Sequence, residues 1–367
     1  MLKENIRLWG LAFFMAMVFS PQSSGLTFVG FEPIAESDTV SQFDILAAGR
    51  WMDGQPEILF RSYGYPEPSQ KKFVMGKDYL HLIQYNPPEL KSEYVFTDSF
   101  DTRTIIVGDF DADGNVEVLG NQDFYLGEGT QISTLEYIEG EWKEYREIIP
   151  FDIDAHFAGD LFDDQGDDFI FAFGIDTITC DTCSYDIESS PPMGLIYGNR
   201  DGGSLKLHVD STFHYALQSL GVSFGETTYV YSYEAVKDTA SFAGGGPLFI
   251  GSIVKYRFDR DKARLEKLYY AACPYFGEGF THQNSSSVYV RDSLIIVLDD
   301  AAMQWFVDDG ESLSLSLMQY TPFECYRPLL FDIDKDGEDE LICTESAVEG
   351  FIVDSPNRII RAYRILK

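Results

Sequence analysis

Ile105-Ile-Val-Gly-Asp-Phe-Asp-Ala-Asp-Gly-Asn-Val-Glu-Val-Leu119 decides how the chain is read. Carboxylates stand at alternate positions, Asp109, Asp111 and Asp113, followed by Gly114 and then Glu117. The flanks, Ile105 to Val107 and Val116 to Leu119, are rich in β-branched residues. This pattern predicts strand, tight acidic loop, strand. Three alternating acids ending at a glycine make an oxygen-rich concavity suited to a hard divalent cation. Calcium fits best, because it accepts six to eight oxygen ligands in an adaptable shell. Gly114 is expected at positive φ, where a Cβ would clash.

The pattern returns as Phe331-Asp-Ile-Asp-Lys-Asp-Gly-Glu-Asp-Glu-Leu-Ile342. Numbering the loop from its first acid, positions 1, 3, 5 and 9 are Asp332, Asp334, Asp336 and Glu340. Position 7 offers a backbone carbonyl, from Asn115 in one copy and Glu338 in the other. An EF-hand needs a bidentate Glu at position 12 and a helix on each side. Here the twelfth residues are Gly120 and Cys343, and both flanks read as strand. The position-9 carboxylate is therefore expected to close each site. Two worn copies align with these. Residues 160–171 keep Asp160, Asp164 and Asp168 but carry Phe162 at position 3 and Gln165 in place of the glycine. Residues 48–59 keep only Asp53, Gly54 and Glu57. Weak or no metal binding is expected at the third copy in chain order, and none at the first. A single acidic turn would be unremarkable, since Asp and Gly are ordinary turn residues. Four aligned copies in one strand context are not so easily explained.

These segments resemble the FG-GAP/VCBS repeats of β-propellers, as in integrin α-subunit heads and many secreted bacterial proteins. Residues 108–119 follow that pattern almost throughout, with Glu117 replacing the final Asp, and residues 331–342 lack only the leading Gly. The resemblance implies structural Ca2+ at both full loops: Asp109, Asp111, Asp113, Asn115 and Glu117, then Asp332, Asp334, Asp336, Glu338 and Glu340. It also implies an all-β propeller.

The spacing sets the number of blades. Glu57, Glu117 and Asp168 mark repeats at roughly even steps, and Glu340 follows about three steps later. Two marks must then be hidden, for which Phe242–Gly251 and Asp292–Leu298 are the candidates. Six blades result, with seven the alternative. Hairpin signatures at 135–145, 254–269 and 305–315 are expected to form the outer two strands of successive blades. The apolar stretch Leu26–Phe31 is placed to donate a strand to the last blade and close the ring. The one helix considered is a short one at 212–220.

Residues 1–25 read as a secretory signal: Lys3 and Arg7, then an apolar run from Leu8 to Phe19, then a small turn-prone exit. The run is shorter than the ~20 residues a spanning helix needs, so no transmembrane segment is expected in the mature chain. Residues 26–367 read as a single domain that is secreted, periplasmic or held at the cell surface. With 27 basic against 60 acidic residues, the net charge of −33 excludes a nucleic-acid partner. In an oxidising compartment Cys180 and Cys183 are expected to pair within a long loop, and Cys325 and Cys343 across adjacent strands, leaving Cys273 over.

No catalytic residue emerges. Gly221-Val-Ser-Phe-Gly225 matches a nucleophile elbow only in letters, because that motif works on a strand-to-helix turn in an α/β sheet. Gly244-Gly-Gly246 has no following helix or lysine to cradle a phosphate. The functional expectation is a calcium-binding, non-enzymatic module that engages a protein or glycan through its loop face. The alternative is a polysaccharide-active glycosidase or lyase on the same scaffold.

Overall fold

A computed structural model describes residues 30–37, 40–41, 43–49, 57–63, 78–86, 89–97, 104–113, 117–123, 130–138, 141–149, 152–162, 166–174, 194–201, 204–210, 216–238, 248–274, 286–299, 302–321, 325–346 and 357–366. These form strands joined by turns, with no helix among the described residues. Six antiparallel sheets stand in a ring, the six-bladed β-propeller that the repeat spacing predicts.

Each blade is a meander running from the innermost to the outermost strand. The first comprises β3 (Phe43–Gly49), β4 (Glu57–Tyr63), β5 (Asp78–Asn86) and β6 (Glu89–Thr97). A two-residue strand, β2 (Val40–Ser41), precedes it. The second comprises β7 (Thr104–Gly108), β8 (Glu117–Asp123), β9 (Thr130–Ile138) and β10 (Glu141–Ile149). The third comprises β11 (Asp152–Gly159), β12 (Asp168–Gly174), β13 (Gly194–Asp201) and β14 (Ser204–Asp210). The fourth comprises β15 (Ala216–Ser223), β16 (Tyr229–Asp238), β17 (Leu248–Asp259) and β18 (Arg264–Cys273). The fifth comprises β19 (Ser287–Arg291), β20 (Leu294–Asp299), β21 (Ala302–Asp308) and β22 (Leu313–Tyr320).

The sixth blade joins the two ends of the chain. Strands β23 (Tyr326–Phe331), β24 (Glu340–Ser346) and β25 (Asn357–Leu366) are completed on the outside by β1 (Gly30–Ser37). The donated strand thus begins where the expected apolar stretch ends. Ser37 anchors it, its hydroxyl accepting the Ile360 amide at 3.0 Å. A short parallel contact of Glu36 with Glu89 and Ser37 with Leu90 then fuses the sixth and first blades into one nine-stranded sheet.

The second strand of a blade has a neighbour on both faces, so its two side-chain rows both go apolar. In β20, Ile295 and Val297 pack toward the fourth blade while Ile296 and Leu298 pack toward the sixth. In β12, Phe169 and Phe171 face the second blade, and Ile170 and Ala172 the fourth. The core is therefore a circle of interfaces between blades. Cys325 and Cys343 form the expected disulfide across β24 and the approach to β23, with Cα atoms 5.0 Å apart, and Cys273 is buried.

Two expectations need correction. Of the short helix expected at 212–220, the described residues 216–220 instead belong to β15, an inner strand paired with β16. Of the hidden marks, Asp292–Leu298 does hold the second strand of its blade, but Leu248–Gly251 opens β17, a third strand. The second strand of the fourth blade is β16, where the mark position is held by Tyr229, opposite Ser223. The three hairpin signatures all form third and fourth strands as expected.

Because β1 covers the β25 edge, a chain begun at residue 38 should melt at lower temperature than one begun at residue 26 and should self-associate. Calorimetry and size-exclusion chromatography on the two chains test this.

Candidate metal centre

The loop joining the first and second strands of a blade carries the acids. In the second blade it runs from Gly108 at the end of β7 to Glu117 at the start of β8, residues paired in register. One carboxylate oxygen from each of Asp109, Asp111, Asp113 and Glu117 lies within 4.8 Å of the others. The loop is shaped by its own polar groups. The Asp113 amide donates to Asp109 Oδ1 at 3.1 Å and to Asp111 Oδ1 at 3.3 Å, and Ala112 takes a left-handed φ of 59°.

Glu117 is fully buried. Its Oε2 accepts the Phe110 amide at 2.6 Å, while its Oε1 is buried with no hydrogen-bond partner. Burial first, then the charges of Asp111, Asp109 and Glu136, push its pKa up to about 8 against the opposing effect of that amide. Crowded carboxylates with an orphaned buried oxygen lack positive charge, and the donor set is all hard oxygen. The residues present fit a calcium ion.

The last blade repeats the geometry. Asp332, Asp334 and Asp336 converge within the same 4.8 Å. Lys335 and Gly337 have φ of 64° and 91°, so the glycine expected at positive φ is realised in this copy. The Asp336 amide donates to Asp334 Oδ1 at 3.1 Å, and the Glu338 amide to Asp336 Oδ1 at 2.9 Å. Fully buried Glu340 accepts the Ile333 amide at 3.0 Å through Oε2, and its Oε1 is again orphaned. Burial and then the three aspartates, opposed by the Ile333 amide, push its pKa up to about 7. Glu340 is not among the three converging carboxylates, and Arg364 Nη2 sits 2.7 Å from Asp334 Oδ2 and 3.6 Å from Asp336 Oδ2.

The worn third loop keeps the frame. Asp168 is fully buried and its Oδ2 accepts the amides of Leu161 at 2.6 Å and Phe162 at 2.9 Å. Glu57 is also fully buried, and Gln84 donates to its Oε1 through the side-chain Nε2 at 3.1 Å. Asn115 and Gly114, Asp53, Gly54, Asp164, Gln165, Cys180, Cys183 and residues 1–25 lie outside the described residues. Ser223 ends β15, and a turn at 224–228 leads into another strand, so the nucleophile-elbow geometry is excluded there.

Sequence reasoning missed two features. The first is loop position 8. Asp167 reaches back to the second blade: its Oδ2 accepts the Asp109 amide at 2.8 Å, and its own amide donates to the Asp109 carbonyl at 2.6 Å. A Cβ on Gly108 would stand 2.8 Å from that Oδ2, so this approach requires glycine. Asp339, the equivalent residue, accepts from Tyr289 Oη at 2.6 Å and Arg291 Nη1 at 3.3 Å of the fifth blade. The signal was present as paired acids, Asp167-Asp168 and Asp339-Glu340.

The second is a buried ion pair between the fourth and fifth blades. Lys255 Nζ lies 2.6 Å from Asp308 Oδ2, with side chains only 6% and 5% exposed. Tyr231 donates to Asp308 at 2.6 Å and Tyr269 at 2.7 Å, while the Tyr229 ring lies 3.9 Å below the ammonium. Burial alone would lower the lysine pKa, but hydrogen bonds to Asp308 and Tyr269 raise it. Burial would raise that of Asp308, but Lys255 and the two tyrosines lower it. Both groups therefore stay charged, and the network clasps two blades.

No family model matches the chain, and no curated protein matches it. Solved structures do. A functionally unknown protein from Desulfotomaculum acetoxidans DSM 771 is 10% identical with a TM-score of 0.39, over 72% of this chain and 89% of that one. A variant of the Synechocystis apocarotenoid oxygenase is 10% identical with a TM-score of 0.44, over 88% of this chain and 88% of that one. Among the described residues no helix is long and apolar enough to cross a membrane.

Two outcomes are expected. Carboxyls that titrate near the ordinary 4.5 when unfolded hold their protons to about 8 and about 7 when folded. The folded state therefore binds more protons in that window, and stability of the cation-free protein should fall as pH rises from about 5 to about 8. Excess Ca2+ should flatten the fall, as read by urea denaturation at each pH with and without the ion. Separately, Lys255→Met leaves Asp308 buried without its counter-charge and should cost about 3–5 kcal/mol in the same assay.

Proposed function

We propose that the chain is a calcium-binding β-propeller of FG-GAP/VCBS type, secreted or periplasmic, acting as a non-enzymatic module that engages a protein or glycan. The observation that carries this reading is the 109–117 loop, where four carboxylates converge and buried Glu117 Oε1 has no partner. A calcium ion there supplies the missing positive charge and ties the first strand of the blade to the second. Its role is structural: the loop joins two inner strands and, through Asp167, the neighbouring blade.

The export reading is supported by the basic and apolar leader at 1–25 and by the Cys325–Cys343 disulfide, which belongs in an oxidising compartment. The net charge of −33 favours partners that are neutral, basic or bridged by cations. The recognition surface would be formed by the loops between strands, where binding residues concentrate on rigid scaffolds.

A cation that binds only the folded state stabilises it by RT ln(1 + [L]/Kd), about 2.7 kcal/mol per site at a hundredfold excess over Kd. Calcium should therefore raise the melting temperature of metal-stripped protein, and Asp111→Ala should remove most of the rise. A melt indifferent to calcium would leave the acidic loops as turns and remove the basis of this reading.

A further inference from the structure

The residue facing loop position 9 from the third strand differs among three of the blades that keep the carboxylate. Opposite Glu57 stands Gln84, which donates a neutral hydrogen bond to it. Opposite Glu117 stands Glu136, buried and acidic. One residue beyond the Leu341–Tyr363 pair, Arg364 stands opposite Glu340. One rung of the blade thus carries an amide, a second carboxylate or a guanidinium.

These choices make the two acidic loops unequal. At 109–117, Glu136 adds negative charge to four carboxylates. At 332–340 the guanidinium of Arg364 reaches Asp334 at 2.7 Å and Asp336 at 3.6 Å, the oxygens a cation would use. Glu340 Oε1 nevertheless stays buried and unpartnered there, so the arginine satisfies the rim of the loop but not its floor. Arg364 also has a second acid at hand. In the β1–β25 pairing it lies directly across from Glu32, an exposed residue of the ring-closing strand. Residues directly opposite in antiparallel strands project from the same face with Cβ atoms about 5 Å apart.

We propose that Arg364 is a resident competitor for divalent cation in the 332–340 loop, so that 109–117 binds tightly, 332–340 binds weakly and exchangeably, and an ion entering the weaker site hands Arg364 over to Glu32. This rests on the calcium reading of both loops and adds a regulatory difference between them. The exchangeable site lies in the blade that joins the two ends of the chain. Cation occupancy there replaces an ion pair within the β23–β25 sheet with one between β25 and the closing strand β1. Ring closure is thereby coupled to cation concentration.

Calorimetric titration of Ca2+ into the metal-stripped full chain tests this, with Asp334→Ala isolating the first site and Asp111→Ala the second. The first site should bind at least about tenfold more tightly than the second. In the Asp111→Ala background, Arg364→Gln should tighten the second site by on the order of tenfold, and Arg364→Lys by less, because it keeps a charge but loses the fork. Glu32→Gln, on the exposed side of β1, should weaken that site and provides the check if the arginine variants fold poorly. Equal affinities in the two isolated sites, or an Arg364→Gln chain that folds normally with unchanged second-site affinity, would overturn the proposal while leaving the calcium reading intact. Absence of binding at both loops in the unmutated chain would sink the calcium reading and this inference with it.

Discussion

The structure depends on a carboxylate buried at the first residue of the second strand. Glu117, Asp168 and Glu340 each accept the amide of the residue seven positions earlier, at 2.6, 2.6 and 3.0 Å. That bond fixes the path of the loop leaving the inner strand. It also aims the side chain at loop position 2 into the next interface: Phe110 against Phe169 and Phe171, Leu161 against the fourth blade, Ile333 against Ile58 of the first. A buried acid is costly unless hydrogen-bonded. Here one oxygen is satisfied by backbone, and what satisfies the charge is left to each blade.

Position 8 extends this local device around the ring. The buried acid faces its own loop, so the acid before it is free to reach the preceding blade. Asp167 does so by bonding backbone and Asp339 by bonding side chains, and each ties its blade to the one before it. The Lys255–Asp308 clasp does comparable work between the fourth and fifth blades, where the acidic motif is absent. Propeller blades bury their faces against each other, so adjacent blades need some such registration beyond apolar packing. The apolar clusters are interchangeable rows of aliphatic and aromatic groups, and a polar link is directional where those are not.

The same logic explains what was legible in the chain. Alternating acids followed by glycine expose the first-to-second-strand loops, and the even spacing of Glu57, Glu117 and Asp168 yields six blades. The fourth blade could not be placed this way. Its loop at 224–228 is held instead by Thr228, which accepts from Arg260 at its hydroxyl and from the Phe258 amide at its carbonyl. The Gly244–Gly246 run therefore drew attention to the wrong strand. In the fifth blade the loop shrinks to a two-residue turn with Asp292 at φ 54°, and only the doubly apolar strand behind it survives as a signal. Lys255 was hidden for another reason. Val254-Lys-Tyr-Arg-Phe258 alternates like a half-exposed strand, but in a propeller the third strand is still covered on both faces near its middle. Only the position along the strand separates buried Lys255 from exposed Arg257.

The converging carboxylates lie close together in sequence and were readable for that reason. The residues that face them across the sheet come from the third strand, roughly twenty residues downstream, and follow no motif. Yet the third-strand residue determines the electrostatics of each loop. Coulomb attraction at hydrogen-bond distance in a partly buried loop is several-fold stronger than in water, so a guanidinium at 2.7 Å and a carboxylate on the same rung place two otherwise matching loops in opposite situations. A guanidinium is also fixed covalently at a high effective concentration, which a free cation must exceed. Matching acids at loop positions 1, 3 and 5 therefore establish that two loops have a common design, while the residue across the sheet determines how much positive charge each one still needs.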